Sequence, residues 1–276
     1  MKQALLGSPF GRTAIFLRDK FDILREALSS LEQLGTIAND QLATHLITKL
    51  CSPRRTFIDI GAHIGSVISE VRRRDPSIRI VAIEAMPDKA ERLRRRFPSV
   101  ETHACAVGEA TGEVSFFVNS KHSGYSSLGR PANAGDKSIS EIRVRIEKLD
   151  DLVSPEDVDA IKIDVEGAEL GVLRGGINLL RKCRPIIMFE SAPEMDDGLG
   201  YTKEAMHGFL TENDFSVIVP NRVAHDGDGL TSIGFIESHW YPRRTTNYFA
   251  VPFERRVEFR DRARSILGIE IGRAHV

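Results

Sequence analysis

Three carboxylates crowd one short stretch: Ile161-Lys162-Ile163-Asp164-Val165-Glu166-Gly167-Ala168-Glu169. An apolar run reads as a core strand and ends in these acids. Acids at the C-terminal end of a parallel strand face the ligand crevice of an α/β sheet. There Asp164, Glu166 and Glu169 can act as a general base, steady a cation or bind a metal. The competing account is that negative charge merely suits a helix N-terminus. That account is strong for Glu169 and weaker for Asp164.

A second chemical stretch is Phe57-Ile58-Asp59-Ile60-Gly61-Ala62-His63-Ile64-Gly65. β-Branched and aromatic residues make a strand, two glycines make a turn, and Val67, Ile68 and Val71 open a helix. Such a turn brings backbone N–H groups and a helix N-terminus to a ligand. Alone the pattern is weak, because it lacks the third glycine of a dinucleotide fingerprint. The third stretch is Ala82-Ile83-Glu84-Ala85-Met86-Pro87. An acid at the end of the second strand of a doubly wound fold can accept both O–H groups of a ribose diol. The alternative is a glutamate that caps the next helix.

These acids need a sheet to carry them. Strands are predicted at Thr56 to Ile60, Arg79 to Glu84, Val100 to Ala106 and Val158 to Val165, then Ile186 to Glu190, Phe215 to Val219 and Asn247 to Val251. Helices are predicted from Ser66 to Arg74, Asp88 to Phe97, Ala168 to Lys182, Thr202 to Asn213 and Glu254 to Leu267. Strands alternating with helices imply right-handed crossovers and a parallel sheet. Short strands at Gly112 to Val118 and Ile142 to Ile146, with a Ser/Gly/Asn/Pro-rich loop from Lys121 to Lys137, interrupt the alternation. Ahead of the sheet, apolar spacing predicts helices from Asp19 to Leu34, stopped by Gly35, and from Asp40 to Cys51. These would cover the sheet edge, or serve as a lid or dimer face. The expected division is 1–53 as a helical extension, 54–253 as the α/β domain and 254–276 as a terminal helix and tail.

Composition narrows the classes. Hydrophobic residues make up 41% and charged residues 28%, as in an ordinary globular protein. The net charge of −1 offers no field for nucleic acid or membrane. The arginine runs at 72–74 and 92–96 sit at predicted helix ends, where cations are favoured. Cys51, Cys105 and Cys183 show no metal or redox spacing and read as reduced thiols. No apolar run has the length of a signal or membrane span. The expectation is a cytoplasmic protein with no nucleic-acid or membrane partner, a homo-oligomer being left open.

Taken in order, these motifs resemble the FkbM family of S-adenosylmethionine-dependent methyltransferases. The carriers are Phe57 to Gly65, Ile83 to Pro87, Ala106-Val107-Gly108 with Gly112-Glu113-Val114, and Ser126-Ser127-Leu128. Leu149-Asp150-Asp151-Leu152, Ile161 to Glu169, Leu173-Arg174-Gly175-Gly176, and Arg184-Pro185 with Glu190 complete the set. They span about residues 56 to 190, and Asn247 to Pro252 matches the family's closing strand. The resemblance implies a class I methyltransferase fold: a seven-stranded, mostly parallel Rossmann-like sheet flanked by helices. It implies S-adenosyl-L-methionine as cofactor and, most often, O-methylation of sugars or natural-product hydroxyls, hence a small-molecule or glycan acceptor. Carried over, Asp59, Gly61 and Gly65, with Ala62, line the methionine and ribose side. Glu84 takes the ribose hydroxyls beside Ala85, and Ala106 approaches the adenine. The chain departs from the family at His63, where Asn is usual, and at Ala85, where Pro is usual.

Methyl transfer to a hydroxyl is an in-line displacement, and the acceptor proton must leave as the oxygen attacks. Asp164 is the first candidate base, with Glu166 and His63 behind it. A resident metal is not expected, although a route through Asp164, Glu166 and a histidine is chemically open. Two other readings stay in play. A nicotinamide oxidoreductase would use the same kind of sheet, but the missing glycine and the acid-rich motif argue against it. A non-catalytic binding module would have little reason to keep Asp59, Glu84 and Asp164 together.

Overall fold

The computed structural model describes residues 9–120, 126–129, 138–154, 156–192 and 199–269. Its centre is a seven-stranded sheet of order β3-β2-β1-β7-β8-β10-β9. The strands are β1 (Thr56–Ile60), β2 (Arg79–Ile83), β3 (Glu101–His103), β7 (Val158–Ile163), β8 (Ile186–Glu190), β9 (Phe215–Ile218) and β10 (Asn247–Pro252). Strands β3, β2, β1, β7 and β8 run parallel, while β10 is antiparallel to both β8 and β9. This is the class I methyltransferase arrangement. Both faces of β1 and β7 are covered, so every residue in them is buried, including Asp59, Asp159 and Lys162. A fully covered parallel strand reads as a continuous apolar run; its charged exceptions are therefore informative.

Helices α3 (Ser66–Arg74) and α4 (Pro87–Arg96) follow β1 and β2. Proline at the start of α4 fits, because the first helical N–H has no partner to lose. The expected seven-stranded, mostly parallel sheet and the five predicted core helices stand, with two differences. The helix expected from Ala168 to Lys182 is split into α6 (Glu169–Gly175) and α7 (Ile177–Cys183). A Cβ on Gly175 would lie 2.0 Å from the Gly108 carbonyl oxygen, so backbone approach from the neighbouring loop breaks the helix there. The strand expected from Val100 to Ala106 also divides. Ala106–Val107 (β4) leaves the main sheet and joins β5 (Gly112–Asn119) and β6 (Ile139–Glu147) in a small sheet of order β4-β6-β5. Of the polar loop expected at Lys121 to Lys137, residues 126–129 are described, and Ser127 bridges back to Phe117. The rest lies outside the described residues.

The N-terminal helices differ from expectation in their bounds. The first, α1, runs Pro9–Ser29; a 3-10 turn, Leu31–Gln33, leads into α2, Leu34–Leu50. Gly35 therefore lies in the first turn of α2 rather than stopping a helix, and nothing crowds it. Helix α2 buries Ala43, Leu46, Ile47 and Leu50 against Phe57, Phe249, Phe259 and Ala263. Burial of a Leu or Ile side chain stabilises by about 1.5–3 kcal/mol, which makes α2 a layer of the core. Asp40 in α2 also accepts from Thr246 N at 2.9 Å and Asn247 N at 3.2 Å, tying it to the start of β10. Helix α1, by contrast, leaves Phe21, Leu24 and Leu28 exposed.

The remaining helices are the single turn α5 (Leu149–Leu152), α8 (Lys203–Glu212), α9 (Ser232–Glu237) and α10 (Arg256–Leu267). Helix α9 falls where no element was predicted. Its Thr231 cap accepts from Gly234 N, a local signal present in the sequence. No described helix is long and apolar enough to cross a membrane. All three cysteines are free thiols.

Candidate active site

The C-terminal ends of β1, β2, β7 and β8 open onto a cavity of about 690 Å³, within the range typical of small-molecule sites. Its lining includes Gly61, His63, Glu84, Lys89, Asp164 and Glu190. Ala85, Ala106 and Glu166 also line it. Phe116 and Leu128, from the small sheet and its bridged loop, add an apolar wall.

The turn after β1 has little freedom. Gly61 has φ +77°, and a Cβ there would sit 1.8 Å from the Asp164 carbonyl oxygen, so only glycine fits. Gly61 N and Ala62 N donate to the Ile83 carbonyl at 3.0 and 3.1 Å, pinning the turn to β2. His63 has φ +50°. Among non-glycine residues, Asn, Asp and His adopt this left-handed region most readily. Asn, usual in the family at this position, and His share that tolerance. The His63 amide donates to Glu84 Oε2 at 2.8 Å. Burial, then the Lys89 and Lys162 charges, push the imidazole pKa down, favouring the neutral ring.

Glu84 is buried, and Oε1 accepts from Met86 N at 3.0 Å. Each carboxylate oxygen has lone pairs to spare after its one amide contact, so a diol can still be bound. Burial raises the Glu84 pKa against the pull of the Met86 amide and Lys89.

At the other end, acids crowd around β7 and β8. Lys162 Nζ lies 3.1 Å from Asp164 Oδ2 and 3.4 Å from Asp59 Oδ1. Asp59 Oδ1 makes no hydrogen bond of good geometry, and burial raises the Asp59 pKa despite Lys162. The Asp164 side chain is 40% exposed, on the side that lines the cavity. Burial opposes its charge, yet Lys162 and a hydrogen bond from Glu190 hold its pKa below the usual carboxylate range. Glu190 is the counterpart: burial and the Asp164 charge push it up to about 10, so at neutral pH it keeps its proton and donates to Asp164. Glu166 is held at φ +54°, a strained conformation for a non-glycine residue. Burial, then Asp164 and Glu169, raise its pKa to about 7. Glu169 is buried and accepts from Val165 N at 3.1 Å and Gly167 N at 3.2 Å, so it closes the loop rather than facing the cavity.

The expected catalytic residues Asp164, Glu166 and His63 thus meet in one cavity, with Gly61, Glu84, Ala85 and Ala106. Asp59, Ala62 and Gly65 do not line it. Asp59 lies beneath the turn and Ala62 is buried. A Cβ on Gly65 would meet the Phe97 ring at 2.5 Å, so this glycine serves the packing of α3 on α4. Carboxylate oxygens of Asp164, Glu166 and Glu190 all lie within 4.8 Å of one another, close enough for one cation to bridge; the third member is Glu190, where a histidine had been considered.

Lys162, Glu190 and Lys89 were not singled out from the sequence as site residues. A signal existed for two of them. Lys162 interrupts a strand that is otherwise apolar around the chemical motif, and Glu190 ends an apolar strand as Glu84 does. Charged residues in such strands are rarely buried unless paired.

Compared with known proteins, residues 59–217 match the family model described as the Methyltransferase FkbM domain, more than half of the chain. The AMB antimetabolite synthetase AmbE of Pseudomonas aeruginosa is 26% identical over 207 residues, covering 60% of this chain and 10% of that protein. Methyltransferase 1 of Beauveria bassiana is 25% identical over 142 residues, covering 43% of this chain and 57% of that protein. The chain therefore spans well under two thirds of either curated relative. Among solved structures, Methyltransferase FkbM from Methylobacillus flagellatus KT superimposes with TM-score 0.45 at 16% identity, covering 86% of this chain and 60% of that one.

Proposed function

This chain belongs to the FkbM methyltransferase family, and from that premise we propose that it is an S-adenosylmethionine-dependent O-methyltransferase acting on a hydroxyl of a sugar, glycan or natural product. The observation that carries this reading is that one cavity holds a buried carboxylate at the end of β2 and a stressed acid cluster at the ends of β7 and β8. The donor set fits the cofactor. Glu84 has acceptor capacity left for a ribose diol, the Gly61 turn leaves no side chain in the way, and Ala85, Ala106, Phe116 and Leu128 give an apolar wall for a purine.

When bound, the cofactor supplies an electrophilic methyl group on a sulfonium. The protein's residues bind, orient and handle the acceptor proton. Glu166 is best suited to take that proton, since a pKa of about 7 lets it be ionised yet basic at neutral pH. Asp164, the base expected first, is already committed to Lys162 and to the Glu190 proton. Its role in this reading is to accept a hydrogen bond from the acceptor and orient it. Neutral His63 contributes its backbone amide to Glu84 and its ring to the cavity wall. Asp59, Ala62 and Gly65 act from behind, by shaping the turn.

Calorimetric titration with S-adenosylmethionine, S-adenosylhomocysteine and NAD tests the premise about the cofactor. Binding of the first two and not of NAD is expected. Binding of NAD alone would return the oxidoreductase reading. Transfer of a labelled methyl group to a panel of sugars, hydroxylated natural products and amines then tests the acceptor class. Methylation confined to amines would overturn O-methylation.

A further inference from the structure

One buried cation touches both halves of the site. Lys162 of β7 is paired in register with Asp59 of β1, and its side chain is 8% exposed. Its Nζ donates to the Gly61 carbonyl at 2.9 Å and lies 3.4 Å from Asp59 and 3.1 Å from Asp164. An ammonium has three N–H groups and no acceptor; here it donates to the Gly61 carbonyl and its charge is shared by the two carboxylates. Two of these three partners belong to different strand ends of the cavity. Gly61 belongs to the turn after β1, and Asp164 stands at the mouth of β7. The same two residues also touch through backbone, where a Cβ on Gly61 would reach within 1.8 Å of the Asp164 carbonyl oxygen. Asp164 N in turn donates to the Ile60 carbonyl at 3.1 Å.

We propose that Lys162 is the positioning residue of this site: its ammonium ties the Gly61 turn, on the methyl-donor side, to Asp164, on the acceptor side, and keeps the two aligned. The inference rests on the methyltransferase reading above. It follows from what methyl transfer demands, which is alignment of an oxygen with an S–CH3 bond. A displacement of about 1 Å can cost about a hundredfold in rate. A lysine suits the task because a tetrahedral nitrogen offers N–H directions for the Gly61 carbonyl and for the two carboxylates it neutralises. The planar fork of arginine keeps the charge but not those directions. If Lys162 only balanced the charge of Asp59 and Asp164, arginine would replace it fully.

The test compares wild type, Lys162→Met and Lys162→Arg by thermal melting, near-ultraviolet dichroism and calorimetric titration with S-adenosylhomocysteine. Lys162→Met is expected to melt lower and to bind at least about tenfold more weakly. Lys162→Arg is expected to recover the melting temperature while its affinity stays about tenfold weak. Recovery of both by arginine overturns the proposal, because charge alone would then suffice. Should neither variant fold, wild-type protein labelled with 15N-lysine decides the matter. The slowly exchanging ammonium signal of a buried lysine should shift both on saturation with S-adenosylhomocysteine and in Asp164→Asn. A signal indifferent to either change overturns the proposal. If wild type itself fails to bind S-adenosylhomocysteine, it is the methyltransferase reading that falls, and the two failures stay distinct.

Discussion

Strand β7 carries a buried aspartate near its start and delivers another at its end, and the two live in opposite ways. Asp159 accepts from Ser52 N at 2.7 Å, from Arg255 at 2.6 Å and from Arg262 at 3.1 Å. Burial works against its charge, but the Ser52 amide and the two guanidiniums win and draw its pKa down to about 2. Asp164 has one ammonium, which it shares with Asp59, and three other carboxylic groups around it. Burial, and then the repulsion of acids short of counter-charge, lifts Glu166 to about 7 and Glu190 to about 10. A satisfied charge holds a fold together; a cluster left short of counter-charge stores the capacity to move protons. Arg262 of α10 and Arg255, which caps that helix, join Asp159, so the first end is a clamp between the sheet and α10.

The largest effect that could break this contrast is Asp159→Ala. It removes a buried carboxylate that holds the Ser52 amide and two partly buried guanidiniums, which keep Glu258 as a second partner, so unfolding in urea should show a loss of about 3 kcal/mol. Affinity of the folded fraction for S-adenosylhomocysteine should stay within about twofold, since the site lies at the other end of the strand. A loss of affinity with stability intact would dissolve the distinction between the two ends.

Next in size is Glu166→Gln. Methyl transfer should fall about a hundredfold, with melting nearly unchanged. In wild type the rate should rise with pH and level off above about 7, as Glu166 gives up its proton. That limb should vanish in the variant. A preserved limb would hand the base role to another group, Asp164 first among them.

A smaller loss is expected for Glu84→Gln. One of the charge-assisted bonds to a ribose diol weakens, so calorimetry with S-adenosylhomocysteine should show about tenfold lower affinity. Unchanged affinity would leave Glu84 as a cap for the turn and the next helix, the alternative raised by its sequence context.

The smallest effect is a change of shape in stability against pH. The Asp159 pKa is depressed from 3.8 to about 2 in the folded state, so its contribution is present above 3.8 and lost as pH falls through 2. Glu166 and Glu190 are raised from 4.5 to about 7 and about 10. Their contribution is fully present below 4.5 and is lost as pH rises through those values. Melting temperatures from pH 3 to 10 should therefore fall at both ends for different reasons, and Glu190→Gln should flatten only the alkaline side. Flattening of the acid side by that variant would show that the two clusters are not independent.

Much of the fold and part of the candidate site were legible in the sequence, whereas Asp159 was not singled out there. Periodicity and turn residues located β1, α3 and β8 to the residue, because each is bounded by a local signal: Gly61, the Asp75-Pro76 turn, and the Arg184-Pro185 turn. Glu84 and Asp164 could be picked as site residues because a carboxylate at a strand end is conspicuous. Where local signals were overruled, the cause was a long-range contact. Gly108 broke the helix at Gly175, and pairing of Ala106 with β6 pulled the third strand apart. Gly65 looked like part of a ligand cradle and turned out to face Phe97. Lys162 and Glu190 stood in the quoted motifs without a role. Their partners are distant in sequence, and no spacing rule brings them together.

The sequence by itself determined the order of strands and helices, the glycine turn and the acids at the strand mouths, since these follow from local backbone preferences and hydrophobic pattern. Only the tertiary structure decided which acids share a proton, which one has arginines enough to stay charged, and which glycine lines the cavity rather than facing a phenylalanine. Those outcomes depend on distances across the sheet. A carboxylate acquires its chemistry from the charges and the water around it, and its chain neighbours supply few of either.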